Sequence, residues 1–155
     1  MNYRDFTFYK LGNPIDNNLE LVLVKSIFPE ENEIAYIPVY KFEMRIVGTE
    51  QKIGSIDFRV GNTRNLIMYA GHFGYGVVQK HRGNRYAARS CQLLFPLAKK
   101  HQINPLWITC NPDNIASRRT CEIAGGKLVE IVELPPDNDQ YHQGERNKCR
   151  YRFDL

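Results

Sequence analysis

Alternation of apolar and polar positions marks the first half of the chain as strand-rich. Leu19, Leu21 and Leu23 alternate with Glu20, Val22 and Val24, the pattern of a half-buried strand. Tyr40 to Val47 and Lys52 to Val60 alternate as well, with VGTEQK between them, and predict an antiparallel hairpin. A register that sets Arg45 opposite Asp57 and Glu43 opposite Arg59 puts opposite charges on one face. It gathers Phe42, Met44 and Ile46 against Val60, Phe58 and Ile56 on the other. Gly61 to Asn65 reads as a turn, and Leu66 to Val78 as a further strand interrupted by Gly71, Gly74 and Gly76. Glycines there suit a bulge, an edge, or a close approach by a ligand.

The period then changes. Tyr86 to Lys100 carries Ala87, Cys91, Leu94 and Ala98 at helical spacing, with Pro96 inside as a kink or a loosened turn and Lys99, Lys100 and His101 at its C-terminus. Pro105 to Cys110 is a short apolar strand. NPDNIASRRTCEIAGG is a second helix, capped by Asn111, Asp113 or Asn114 and ended by Gly125 and Gly126. Lys127 to Leu134 is strand, Pro135 to Lys148 a long polar loop, and CRYRFDL a last strand. The segment SIFPEENEIAYIP, with two prolines and an acidic cluster, is a connection. The order predicts one α/β (α+β) domain over residues 1–155, built on a single mixed, mostly antiparallel sheet flanked by helices.

Composition narrows the function classes only a little. At 155 residues, 43% hydrophobic and 25% charged, the chain suits one globular domain. No apolar run is long enough for a bilayer, and MNYRDFTFYK is too polar for a secretory signal, so the cytoplasm is the expected compartment. Cys91, Cys110, Cys121 and Cys149 lie far apart, without metal-ligand spacing, and read as buried thiols with no metal site. The formal charge of +4 fits an anionic partner without identifying it.

Candidate chemistry concentrates at the strand-to-helix junction GYGVVQKHRGNRYAA. Gln79, Lys80, His81, Arg82, Gly83, Asn84 and Arg85 place cations and a glycine before a helix N-terminus. That terminus has unpaired N–H groups and the positive end of the helix dipole, a setting for a phosphate or pyrophosphate. A solvated turn capped by Asn84 is the plainer alternative. Neither a GxGxxG fingerprint nor a GxxxxGK phosphate loop is present.

These two stretches resemble the GNAT superfamily of acyl-CoA-dependent N-acyltransferases, from about Leu19 onward by element order. GYGVVQKHRGNRYAA is similar to the family's pyrophosphate loop, Gln/Arg-x-x-Gly-x-Gly/Ala, and DNIASRRTCEIAGGKL looks like the segment that closes the cofactor site. The resemblance implies acetyl-CoA as co-substrate. It places Arg82 and Ala87 at the ends of the loop motif, with Gly83, Asn84 and Tyr86 between and Arg85 where the pattern has its central glycine. Arg85 there implies either a reshaped loop or a guanidinium that reaches the cofactor phosphates; the second is expected, because residue 85 opens the helix and needs no positive φ. Val77 matches the position whose backbone pairs with the pantetheine arm, and the N–H of Val77 or Val78 would hold the oxyanion. Asn114 and Ser117 match the polar pair across the groove, with Arg118 and Arg119 as looser candidates for a 3′-phosphate.

The resemblance also implies a general acid. Many members carry a tyrosine four residues after the serine, but this chain has Cys121, which leaves Ser117 for the role or for a helix-capping hydroxyl. His72 is the first candidate for the base, with Asp57 and Glu43 behind it, and a core histidine is its alternative. The implied activity is acetyl transfer from acetyl-CoA to a primary amine of a small molecule or a protein. The alternatives are a CoA-binding module without turnover and, on the basic turn with Tyr69, Tyr75 and Tyr86, a nucleic-acid binder, which the alternation of those tyrosines disfavours. An exposed sheet edge leaves room for a homodimer.

Overall fold

The computed structural model describes residues 5–28 and 37–155, so most of the connection expected between Ser26 and Pro38 lies outside the described residues. Strands β1 (Ile15–Asp16), β2 (Leu19–Ile27), β3 (Val39–Ile46), β4 (Lys52–Arg59) and β5 (Phe73–Val77) form a five-stranded sheet in chain order. Helix α1 (Tyr86–Lys100) leads to β6 (Leu106–Cys110), and α2 (Ile115–Ile123) to β7 (Lys127–Glu133). A one-turn helix, α3 (Asp139–His142), and β8 (Asn147–Phe153) complete the chain. Strand β8 lies between β6 and β7 in a three-stranded sheet.

The α+β class holds, with antiparallel pairing throughout. The single mixed sheet does not: the ladder is interrupted between β5 and β6. His72 is the physical reason. Its backbone N–H donates to Trp107 O at 2.7 Å, and its Nδ1 accepts the Trp107 N–H at 2.9 Å, so a side chain takes the place of the next rung. Its Nε2–H donates to Gly61 O at 2.9 Å, which fixes the neutral tautomer. The two sheets are therefore tied at one point and free to diverge beyond it.

The hairpin forms, but slid by four residues: Asp57 faces Lys41 and Phe42 faces Ile56. An even slip keeps every side chain on its expected face and changes only the partners. Lys41 pairs with Asp57 at 2.9 Å, and Arg45 pairs along its own strand with Glu43 at 2.8 Å. The shorter turn, closed by Thr49 N–H to Ile46 O, brings Ile53 into the core. Gly54 sets this register. A Cβ there would stand 2.5 Å from Gly76 O and 2.9 Å from Met44 Sδ, so only glycine lets β3, β4 and β5 close up at that level.

The expected strand from Leu66 to Val78 is only half strand. Leu66–Ala70 winds into a π-helical turn whose last bond runs from Gly71 N–H to Leu66 O, with Gly71 at φ 76°. Laddering begins at Phe73. Helix α1 runs as expected and continues through Pro96, because the carbonyl that loses its donor, that of Gln92, lies on the exposed face. His101 ends the helix without charge. Burial pulls its pKa down to about 4, and it stacks on Phe6 and hydrogen-bonds Tyr40 Oη at 2.6 Å.

One core joins both sheets. Leu19, Leu21, Phe42, Met44, Phe58 and Phe73 pack against Cys91, Leu94 and Leu97 of α1, and Ile108 and Tyr151 extend the cluster from the smaller sheet. All four cysteines are buried. No helix among the described residues is long and apolar enough to cross a membrane.

Burial holds the His72 pKa down at about 4, from 6.5. Between these values the unfolded chain binds more protons, so stability is full above about pH 6.5 and falls as pH drops toward 4, by up to about 3 kcal/mol from His72. His101 adds a smaller loss of the same sign. Urea unfolding across this range checks the slope, and His72→Leu, which orphans the Trp107 N–H and Gly61 O, is expected to lose about 2–4 kcal/mol at pH 7.

Candidate functional site

A cavity of about 550 Å³ opens between the end of β5 and α2. Its walls are the end of β5, the basic loop, the first turn of α1 and one face of α2 from Ala116 to Ile123. Alternation along β5 decides what the strand offers it. The Val78 N–H is spent on Ile53 O of β4, so the Val77 N–H and C=O point to the opposite edge, into the cavity. Val78 itself does not line the site and is 42% exposed, which leaves Val77 alone of the two as an oxyanion donor.

The loop is built turn by turn. Gln79–His81 forms a 3₁₀ turn, Arg82 is extended and donates from Nε to Val77 O at 3.2 Å, and Gly83 takes φ 92°. Asn84 does not cap α1. Its Nδ2 donates to His81 O at 3.0 Å, bracing the loop from outside the cavity. The N-cap is Arg85, at φ 58° and ψ 25°, and it makes no side-chain cap bond. The expectation that residue 85 needs no positive φ is therefore corrected. The chain keeps the left-handed turn that suits glycine but places an arginine in it, at about 1–2 kcal/mol of backbone strain.

Because no side chain caps α1, its first-turn N–H groups are left for a ligand, and Arg85, Tyr86 and Ala87 line the cavity there. Arg82 and Gly83 stand beside them. Tyr86 is buried, and its Oη accepts from Asn18 Nδ2 at 2.9 Å. Arg89 pairs with Asp16 at 2.6 Å, so the helix end is fastened to the β1–β2 turn. The anion-facing terminus thus sits on a rigid support.

Across the cavity, Asn114 caps α2: its side chain accepts from Ser117 N–H at 3.1 Å, and both residues line the wall. The two arginines that follow separate. Arg119 lines the cavity, whereas Arg118 turns away to Pro112 O and Tyr151 Oη, both at 3.2 Å. Ala116, Thr120 and Ile123 complete this face at helical spacing, a periodicity that could have marked them in the sequence.

His72 is elsewhere. It is fully buried with both ring nitrogens engaged, so it holds the sheets together and faces no acceptor. Asp57 and Glu43 are committed to their ion pairs. A residue that the alternating pattern hides among core aromatics, Tyr75, instead reaches from β5 to α2. Its Oη lies 2.9 Å from Ser117 Oγ and 3.6 Å from Cys121 Sγ, and burial pushes its pKa far above the usual phenol range. With Tyr75 and Tyr86 both tied inward, the tyrosines offer no stacking platform. The loop from Pro135 onward lies against the π-helical turn, through Asn138 to Asn65 and Gln140 to Tyr69 O.

A cavity at the end of a strand, with an uncapped helix N-terminus on its wall, makes this an α+β domain with a setting for an anionic ligand. The sequence matches the acetyltransferase (GNAT) domain family over residues 21–127, and the chain belongs to that family. Solved structures share the fold. They include a GNAT-family acetyltransferase from Bacillus anthracis at 20% identity and a TM-score of 0.59, covering 74% of this chain and 65% of that one. The microcin C7 self-immunity acetyltransferase MccE, solved with acetyl-CoA and AMP, gives 16% and 0.56, covering 76% and 61%. A ribosomal-protein-S5-alanine acetyltransferase from Vibrio fischeri gives 14% and 0.58, covering 75% and 61%. The match thus spans less than two thirds of these longer chains. No curated protein matches the sequence.

The left-handed turn makes residue 85 a sensitive position. Arg85→Gly is expected to leave the melting temperature unchanged or to stabilise by up to about 1 kcal/mol, as released strain offsets glycine's added chain entropy. Arg85→Val, β-branched in the same conformation, should destabilise by more than about 1 kcal/mol. Thermal unfolding of the two variants distinguishes these outcomes.

Proposed function

We propose that the protein is an acetyl-CoA-dependent N-acetyltransferase acting on a primary amine, carried by a small molecule or by a peptide. The observation that carries this reading is the uncapped N-terminus of α1 opening into the cavity between Arg82, Gly83 and Arg85. Unpaired N–H groups, the helix dipole and two guanidinium groups suit a pyrophosphate. From there the cavity runs along Val77, whose N–H faces it and suits an amide-bearing arm, to Ser117.

Bound acetyl-CoA would supply the thioester; the chain's residues would position it. The Val77 N–H would donate to the thioester oxygen as charge develops there. Ser117, on the opposite wall, would face the leaving sulfur. Neither a carboxylate nor His72 lines the cavity among the described residues, and the histidine that does, His81, stands on the basic loop, so the acceptor's ammonium would lose its proton to water. A CoA-binding module without turnover shares every one of these features except the transfer itself.

Calorimetric titration with acetyl-CoA tests the reading. Micromolar binding is expected, weakened about tenfold in Arg82→Ala and in Arg85→Ala, each of which removes one charge-assisted contact. Absence of binding to any acyl-CoA would end the proposal. Binding without acetylation across a broad panel of amines and amine-terminated peptides would favour the non-catalytic module.

A further inference from the structure

Three cysteines arrive at one place from three different elements. Cys110 ends β6, and the strand register sets it directly opposite Cys149 on β8. Cys121, on α2, faces the same sulfur, as does the hydroxyl of Ser117. Directly opposed residues of an antiparallel pair hold their Cα atoms about 4.5–5.5 Å apart. A disulfide spans about 4.4–6.8 Å between Cα atoms, so Cys110 and Cys149 can be joined without moving either strand.

The thiols are not equivalent. Cys110 keeps 5% exposure, against none at Cys91, Cys121 and Cys149. The Cys121 thiol does most to favour a thiolate at Cys110; burial opposes it, and Ser117 and the cations Arg118 and Lys148 add to it. The balance draws the Cys110 pKa down to about 7. Lys148 is paired with Glu145 at 2.7 Å, whereas Arg118 spends its hydrogen bonds on the neutral Tyr151 Oη and Pro112 O. The other thiols are held protonated: Cys91 and Cys149 are pushed up chiefly by burial, and Cys121 by its bond to Cys110. An ionised sulfur with a protonated one across the ladder is the arrangement of an attacking and a resolving cysteine.

We propose that Cys110 is an oxidation site for a hydroperoxide, hydrogen peroxide in the simplest case, with Cys149 as the resolving thiol. The Cys110 thiolate attacks one peroxide oxygen. An S–O bond forms as the O–O bond breaks, and the departing oxygen keeps the electron pair and takes up protons to leave as water. Cys110 then carries a sulfenic acid. The Cys149 sulfur attacks it, an S–S bond forms, and the hydroxyl leaves as a second water with the Cys149 proton. One peroxide is reduced by two electrons and the two thiols are oxidised by two. The disulfide removes the thiolate that Ser117 faces, and Ser117 lines the cavity, so the oxidant acts on the wall of that space. Nothing in this chemistry depends on what the cavity binds.

Reduced, folded protein treated with hydrogen peroxide, quenched by alkylation and digested with trypsin checks this, because each cysteine falls on its own tryptic peptide. Linked Cys110 and Cys149 peptides are expected before any other cysteine is modified. At pH 7 Cys110 should be consumed about tenfold faster than in the urea-unfolded chain, where only a few per cent of a thiol is ionised. Cys149→Ser should leave a sulfenic acid on Cys110, trapped by dimedone, with no disulfide, and Cys91→Ser should behave as wild type. The wild-type peptide map carries the test if Cys149→Ser fails to fold. Folded protein whose Cys110 stays reduced, oxidation that starts at another cysteine, or a link from Cys110 to Cys121 each overturns the assignment.

Discussion

The rest of the structure depends on one buried imidazole. His72 takes the Trp107 N–H on Nδ1, gives its own backbone N–H to Trp107 O, and anchors Nε2 on Gly61 O. A regular ladder would have continued from there and sealed β5 to β6. A ring in place of a rung permits one firm contact and no continued ladder, and the cavity lies further along β5, between its end and α2. The same ring must stay neutral to accept on Nδ1, so the burial that lowers its pKa and the hydrogen bond that holds the sheets are two sides of one arrangement.

What was legible in the sequence follows from locality. The two long helices and the strand faces are set by residues within a few positions of one another and appear where the pattern puts them, and of the three cap candidates for α2, Asn111, Asp113 and Asn114, the last makes the bond. The β3–β4 register is different. The alternating pattern is satisfied equally by any even slip, and the choice is made by Gly54, whose bare backbone is needed by a third strand. The π-helical turn at Leu66–Ala70 was hidden for a similar reason: its apolar residues suit a strand, but Gly71 at positive φ ends the extension. His72 looks like a base because histidine near a glycine-rich strand is chemically suggestive, and only long-range contacts with Gly61 and Trp107 reveal that it is spent.

At the site, the residues found by motif lie on the loop and on the first turn of α2, where spacing fixes geometry. Val78 and Asn84 fall out because strand alternation and loop curl turn them away, which a linear motif does not record. Arg85 occupies the left-handed position that the motif's glycine explains. An arginine held there against its backbone preference is consistent with a guanidinium whose placement beside the helix terminus matters more than local ease.

The cavity's two ends are chemically opposite, and that contrast explains the departures. At the loop end, charge is fixed: N–H dipoles, Arg82, Arg85 and Arg119 face the space whether or not a ligand is present. At the other end stand the hydroxyls of Tyr75 and Ser117, 2.9 Å apart. Cys121 is a small, buried side chain on α2 in contact with Tyr75. It opens the path by which a tyrosine from the facing strand arrives at the same helix turn, so the hydroxyl is supplied by the sheet and the helix keeps the serine.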